Sequence, residues 1–370
     1  MSKTNFVPVG ANIKVIGLGG AGCNAITRMV REQIRGVEFV AMNTDAQQLA
    51  FTEAAVRLQL GERLTHGMGA GGDHTVGHKA AEESKDEIKE IVKGADMVFV
   101  TAGMGGGTGT GSSAVVAEIA KQSGALTIAI ITKPFAFEGN HRMKTAQAGI
   151  DELIDKVDTL VIIPNDRLLQ LCDQKTNIDT AFALADEVLH HGVQAIAEVI
   201  TVPGLINLDF ADIRTIMKDA GPAWMSIGRG TGPNRATEAA KEALASPLLD
   251  VSMEGATGVM FNITGSSSLT LFEVNAAAEV IKQAVDPGAN VIFGVAFDSN
   301  MTNEIRLTLI ATGFANQAGL NGAAREKEIT KVLKDLKPNE YDTPSFLRQR
   351  NMQQTRTMPT PIIPANKVRY

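Results

Sequence analysis

The segment that most limits the fold is Ala102-Gly-Met-Gly-Gly-Gly-Thr-Gly-Thr-Gly111, which follows the apolar run 95–101 and leads directly into a helical pattern. Six glycines in ten residues cost conformational entropy on ordering, so such a loop is expected to bring its backbone against a ligand; a flexible surface loop is the plain alternative. Strand, glycine turn and helix in that order form the unit of a parallel α/β sheet. The unit recurs. Apolar runs near 12–17, 37–42, 95–100, 125–132 and 158–163 read as strands, and amphipathic stretches over 20–34, 75–93, 108–123 and 140–155 read as helices. With 14 Phe, 2 Tyr and 1 Trp, the core must come mainly from Val, Ile, Leu and Ala, which fill buried parallel sheets.

A long helix is expected across 179–200, with Ala181, Leu184, Ala185, Val188, Leu189 and Ile196 on one stripe, as a core helix would have. Past Pro203 and Gly204 the runs GVMFNIT, ANVIFGVAF and EIRLTLIATGF read as strands, with helices near 232–246 and 270–284. Six regions follow: an N-terminal extension 1–11, a first α/β domain 12–175, a central helix and connection 176–204, a smaller α/β domain 205–316, a short linker 317–340 with apolar residues at helical spacing, and a tail 341–370. The 370 residues suit about two domains of roughly 150 residues each.

Charge is unevenly placed. Residues 1–320 hold 25 basic and 36 acidic side chains, net −11, whereas 321–370 hold 10 and 5, net +5. An acidic body argues against nucleic acid as a partner, because phosphate neutralisation needs clustered Lys and Arg. Two cysteines, Cys23 and Cys172, make neither a disulfide framework nor a zinc site. No run of about 18 apolar residues and no leader pattern is found, so a cytoplasmic protein is expected.

Gly17-Leu-Gly19-Gly20-Ala-Gly22 also follows a strand and opens a helix, satisfying GxGxxG, and Asp45 lies further on where a dinucleotide-binding domain carries its acidic residue. A Rossmann oxidoreductase is open at that step. The second glycine loop argues against it: two phosphate cradles at one sheet edge imply a polyphosphate nucleotide. No GxxxxGK[ST] occurs, since Ser112 follows Gly111 where lysine is required. Phosphate charge must be met by backbone amides, helix ends, a metal ion and Arg142.

These loops, with Asn43-Thr-Asp45, Gly69-Ala-Gly-Gly72, the stretch from Pro134 to Arg142, Asn165-Asp-Arg167 and the stretch from Pro203 to Asp212, resemble the FtsZ family of bacterial cell-division GTPases in the tubulin superfamily, over residues 12–316. The resemblance implies a tubulin-like α/β fold, a Rossmann-like parallel-sheet GTPase domain joined by a long central helix to a smaller α/β domain. It implies GTP as substrate and GDP as product. Gly19, Gly20, Ala21, Gly22, Cys23, Met104, Gly105, Gly106, Gly107, Thr108, Gly109 and Thr110 would surround the phosphates, with Asn43, Ala70, Gly71 and Pro134 beside them. Thr108 and Thr110, at a helix start, could equally cap the backbone. Cys23, beside a helix N-terminus, is a thiol of lowered pKa or a small packing residue. Asp186 would accept from the guanine N1–H and amine, and Phe182, four residues earlier on the same helix face, would stack on the base or else pack in the core. Asn24 and Asn165 would contact base or ribose, and Glu138 and Arg142 ribose and phosphate.

The stretch Gly204-Leu-Ile-Asn-Leu-Asp209-Phe-Ala-Asp212 resembles the family's loop that enters the next subunit's nucleotide site. Asp209 and Asp212 share one face of a helix start and would polarise the attacking water, with Asn207 in the same contact; an N-cap and a dipole partner are the alternative roles. Mg2+ is expected, with a monovalent cation as a second candidate. The implied assembly is a head-to-tail homopolymer scaffolding the mid-cell division ring beneath the membrane. A tubulin-like shape-control or scaffold protein with little GTPase activity is the alternative. Tyr341-Asp-Thr-Pro-Ser-Phe-Leu-Arg-Gln-Arg350 resembles the family's adaptor-binding motif, and the basic end 351–370 is a weaker candidate for direct membrane contact. The adjacent His190 and His191 point apart on a helix and are assigned no ligand role.

Overall fold

The computed structural model describes residues 10–171, 177–201, 209–246, 255–298 and 301–314. Asn207, Cys172, the expected linker 317–340, the motif Tyr341 to Arg350 and the tail lie outside them.

The first half alternates strand and helix as the apolar runs require: β1 (Ile13–Leu18), α1 (Gly19–Arg31), β2 (Val37–Asn43), α2 (Ala46–Phe51), β3 (Val56–Gln59), α3 (Glu62–Thr65), α4 (His74–Glu83), α5 (Lys85–Val92), β4 (Met97–Gly103), α6 (Thr108–Gln122), β5 (Leu126–Lys133), α7 (Asn140–Leu153), β6 (Thr159–Pro164) and α8 (Asn165–Leu168). All six residues of β1 are buried, Lys14 among them with its ammonium on Glu38, so the strand is apolar on both faces but for one paired charge and does not alternate. The long helix is α9 (Ile178–Thr201), followed by α10 (Phe210–Met217), β7 (Gly221–Thr231), α11 (Arg235–Ala245), β8 (Gly258–Gly265), α12 (Leu271–Ala284), β9 (Asn290–Phe297) and β10 (Glu304–Thr312).

Strand order is β3-β2-β1-β4-β5-β6-β7-β10-β8-β9. Pairing is parallel from β3 through β6, and the first three residues of β7 continue it against β6. From Trp224 onward β7 pairs antiparallel with β10, which pairs antiparallel with β8, while β8 and β9 are parallel. The second part is therefore a mixed sheet that shares its first strand with the nucleotide-side sheet. The main core lies where α1 and α9 cover one face of β1, β4, β5 and β6. Val188, Leu189, Val193 and Ile196 of α9 belong to it, together with Met225, Met260 and Ile310 from the second sheet, so α9 is a core helix serving both parts.

Three expectations change. The stretch 75–93 is two helices broken at Ser84, whose hydroxyl accepts from the Gly61 N–H (3.1 Å). The short edge strand β3 and the eleven-residue β7 were not expected. In β7 the obstacle is Gly228 and Gly230, which look like turn residues. A Cβ at these positions would run into the carbonyl oxygens of Ala239 and Arg235, so the glycines let α11 pack directly on the strand.

Candidate nucleotide site

The parallel strands deliver their C-terminal ends to one edge, and there the two glycine loops meet. A Cβ on Gly19, which has φ +67°, would lie 2.7 Å from the Gly109 nitrogen. Neither α1 nor α6 has a side-chain cap or an acidic residue in its first turn, so both helix N-termini offer free N–H groups and partial positive charge. The resulting cleft has a volume of about 510 Å3. It is lined by Gly20, Ala21, Asn43, Ala70, Gly71, Met104, Gly106, Gly107, Thr108, Gly109, Pro134, Glu138, Arg142, Asn165, Phe182 and Asp186, all expected site residues. Arg142, ion-paired with Glu138, is the one cation among the described residues lining this lobe. Phosphate charge would thus fall mainly to backbone amides.

A second lobe of about 480 Å3 shares Gln48 and Asp186 with the first and adds Asn24, Thr27, Arg28 and Arg31. Asn165 is buried, and its Oδ1 has no hydrogen-bond partner among the described residues, as a group awaiting a ligand hydroxyl would be. Phe182 meets Phe135 edge-on at 5.3 Å and Phe137 at 6.4 Å, yet keeps an exposed face towards the cleft. Burial pushes the Asp186 carboxyl up to about 6, against the opposing charge of Arg28. Arg28 reaches from α1 to donate to the Ala183 carbonyl (3.0 Å) and to Glu187 (3.3 Å), tying α1 to the start of α9.

Some expected residues stand elsewhere. Cys23 is fully buried against Ala41 and Leu49, its thiol pushed up to about 11 chiefly by burial. It is a packing residue, because its side chain faces the core and its N–H lies inside the helix. The Thr110 hydroxyl is buried and accepts from the Gly105 N–H (2.8 Å), which makes it a loop brace. Thr108 lines the cleft, but its hydroxyl bonds that of Thr44 (2.5 Å). Gly19, Gly22 and Gly105 shape the loops from behind without lining either lobe. Conversely Asp45, Gln48, Met68, Gly69, Gly72, Gly103, Thr132 and Ala185 also line the cleft. Asp45 and the Gly69–Gly72 turn sit in quoted motifs, whereas Gln48 is set there only by the first turn of α2, which Asp45 caps (3.0 Å).

Asp209 and Asp212 are both exposed in the first turn of α10, where Asp209 also caps the Ala211 N–H (3.4 Å). The other end of α10 meets the N-terminal end of β6: the Thr159 hydroxyl donates to the Met217 carbonyl (2.5 Å). The C-terminal end of this helix therefore lies at the sheet edge opposite the cleft, and neither aspartate lines the cleft. His190 and His191 are buried in α9; His191 Nε2 is 3.0 Å from Arg306, and burial depresses both imidazoles, to about 4 and about 2. No cluster of three metal-ligating His, Cys, Asp or Glu side chains is found among the described residues.

Residues 12–173 match the model for the GTPase domain of the Tubulin/FtsZ family, and residues 221–315 match the model for the FtsZ family C-terminal domain. The chain also resembles a solved empty FtsZ dimer from M. jannaschii, with 46% identity and a TM-score of 0.81 over 83% of this chain and 89% of that one. The chain belongs to the FtsZ family. A second M. jannaschii FtsZ structure, of a tryptophan-to-tyrosine mutant, gives 47% identity and a TM-score of 0.80 over 82% of this chain and 92% of the other. CetZ2 from Haloferax volcanii, solved as a GTPγS-bound protofilament, shares the fold at 18% identity and a TM-score of 0.71, covering 87% and 99% of the two chains. Membership carries with it a GTPase domain that binds GTP and GDP. No described helix is long and apolar enough to cross a membrane.

Proposed function

We propose that this FtsZ-family chain hydrolyses GTP only when assembled head to tail, Asp209 and Asp212 of one subunit completing the site over the nucleotide of the next. Support comes from one separation: neither carboxylate lines the cleft, and the helix that carries them is anchored at the opposite edge of the sheet. A repeated contact between opposite ends is heterologous and grows into a filament. Within the cleft, the amides of the two helix starts and Arg142 would hold the phosphates, Asn165 a ribose hydroxyl, Phe182 the base face and Asp186 the guanine N1–H and amine. The Asp45 carboxylate and the Gln48 amide oxygen, which also accepts from Asn43, are the side-chain oxygens that would hold Mg2+, and the ion would neutralise charge on the phosphates. The two exposed carboxylates would orient the water, since phosphoryl transfer leaves the protein mainly positioning and electrostatics.

In the cell such filaments would scaffold the division ring, with adaptors engaging Tyr341 to Arg350. Phosphate release followed together with light scattering tests the assembly requirement. Turnover per subunit is expected near zero in dilute protein and to rise with polymer, whereas concentration-independent turnover refutes the shared site. Asp209→Ala or Asp212→Ala should retain GTP and lose turnover by about a hundredfold or more. Little turnover in a fully assembled wild-type chain would favour the scaffold alternative.

A further inference from the structure

One helix runs between the nucleotide edge and the edge that carries α10. Helix α6 starts at Thr108, in the second glycine loop, and ends at Gln122, a length of about 22 Å. Its penultimate residue, Lys121, closes the far end. Lys121 Nζ donates to the Val157 carbonyl (3.0 Å) and ion-pairs with Asp158 Oδ1 (3.3 Å) and Asp219 Oδ1 (3.1 Å). Asp158 is fixed: it is buried, its Oδ2 accepts from the Thr127 N–H (2.8 Å), and its carbonyl accepts from the Gly221 N–H (2.9 Å). Asp219 is exposed and sits in the turn that ends α10, in the left-handed region at φ +51°. Asp tolerates that conformation better than most residues do, but something must hold it there.

The same turn is gripped on its other side. The hydroxyls of Thr159 and Thr312 donate to the carbonyls of Met217 (2.5 Å) and Ile216 (3.2 Å), the last two residues of α10. What is held is an eight-residue helix, about 12 Å long, that also buries Ile213 and Met217 in the main core and carries Asp209 and Asp212 at its other end. A small tilt at the clamp displaces those carboxylates, and a misplacement of about 1 Å can cost about a hundredfold in rate.

We propose that Lys121 and Asp219 are positioning residues for GTP hydrolysis, clamping the C-terminal end of α10 so that its carboxylates meet the neighbouring subunit's nucleotide. The assignment rests on the shared-site reading above. It differs from a plain stabilising ion pair in what it moves: the exposed Lys121–Asp219 arm adds little to global stability, so loss of that arm falls on turnover and not on melting.

The experiment uses the full chain carrying Lys121→Met, Asp219→Asn or Lys121→Arg, with Asp212→Ala alongside. For each, kcat and KM for GTP, the sedimented polymer fraction and the melting temperature are measured. Asp219→Asn should lower kcat by about tenfold or more with KM, polymer fraction and melting temperature near wild type; Lys121→Met should lower kcat likewise but also the melting temperature, because it leaves buried Asp158 without its cation, and Lys121→Arg should recover most of both. Unchanged kcat in both, or a loss confined to KM, polymer or melting temperature, overturns the assignment. Should Lys121→Met fail to fold, Asp219→Asn decides alone, because Asn keeps the left-handed turn without the charge. If Asp212→Ala turns over normally, the shared-site reading falls and this proposal with it. If Asp212→Ala is inactive while Lys121→Met and Asp219→Asn are fully active, only the clamp is refuted.

Discussion

Asp186 is the residue whose environment and proposed task pull hardest against each other. Its folded value of about 6 lies above the ordinary 3.8, so the nucleotide-free protein takes up a proton on folding between those values. The stability this contributes is full below about pH 4 and is lost as pH rises through about 6. Asp186→Asn should therefore stabilise the empty protein at pH 7 by about 2 kcal/mol and flatten its stability between pH 4 and 6, read by urea unfolding. Guanine binding makes the opposite demand, because its N1–H and amine both donate and need an ionised acceptor. Wild-type GTP affinity should fall about tenfold per pH unit below 6. Asn offers one acceptor and one donor, a match for xanthine, so competition binding of the variant should show GTP weakened by about tenfold to a hundredfold and XTP gained. Undiminished GTP affinity would remove Asp186 from the base site. A base-site role for Asp186 comes from the family resemblance and not from any motif around it, and its raised pKa was not readable at all, because that depends on what α1 and α9 pack around it.

The order of strands and helices in the first half was readable because buried parallel strands need unbroken apolar runs, as in Met97–Val100 of β4 and Leu160–Ile163 of β6. Elements set by tertiary contact were not: β7 hides behind the glycines that α11 requires, and the break at Ser84 depends on a bond to Gly61 far along the chain. A contact of this kind also pins the second sheet. Buried Arg235, at the start of α11, donates to both oxygens of Glu273 (2.6 and 3.3 Å), which also forms a capping box with Thr270 at the start of α12. The Arg235 hydrogen bond above all holds Glu273 down at about 2, below the ordinary 4.5. The depressed value means that the contribution is present above pH 4.5 and is lost as pH falls towards 2. Glu273→Ala leaves Arg235 buried without its carboxylate and should destabilise the protein by about 3 kcal/mol at pH 7, the difference from wild type closing as pH approaches 2. Equal urea midpoints at pH 7 would show that the pair is dispensable.

Across the molecule the sheet has two working edges, glycine loops at one and α10 at the other, and whether they serve one subunit or two is decided by mixing. Asp186→Asn subunits would carry a site for XTP and an intact α10; Asp212→Ala subunits would carry a site for GTP and a defective α10. Alone, the first should hydrolyse XTP and the second neither nucleotide. In an equimolar copolymer supplied with both nucleotides, a shared site places an intact α10 over about half of the GTP-loaded subunits, so GTP hydrolysis should return to about a quarter of the wild-type rate per total subunit. A site confined to one subunit returns none, because every GTP-loaded chain carries its own defect. Labelled phosphate released from GTP, and not from XTP, is therefore the signal, with light scattering confirming that both chains enter the polymer. Copolymer that forms and releases no phosphate from GTP would return the carboxylates to capping roles, leaving hydrolysis to groups within the cleft.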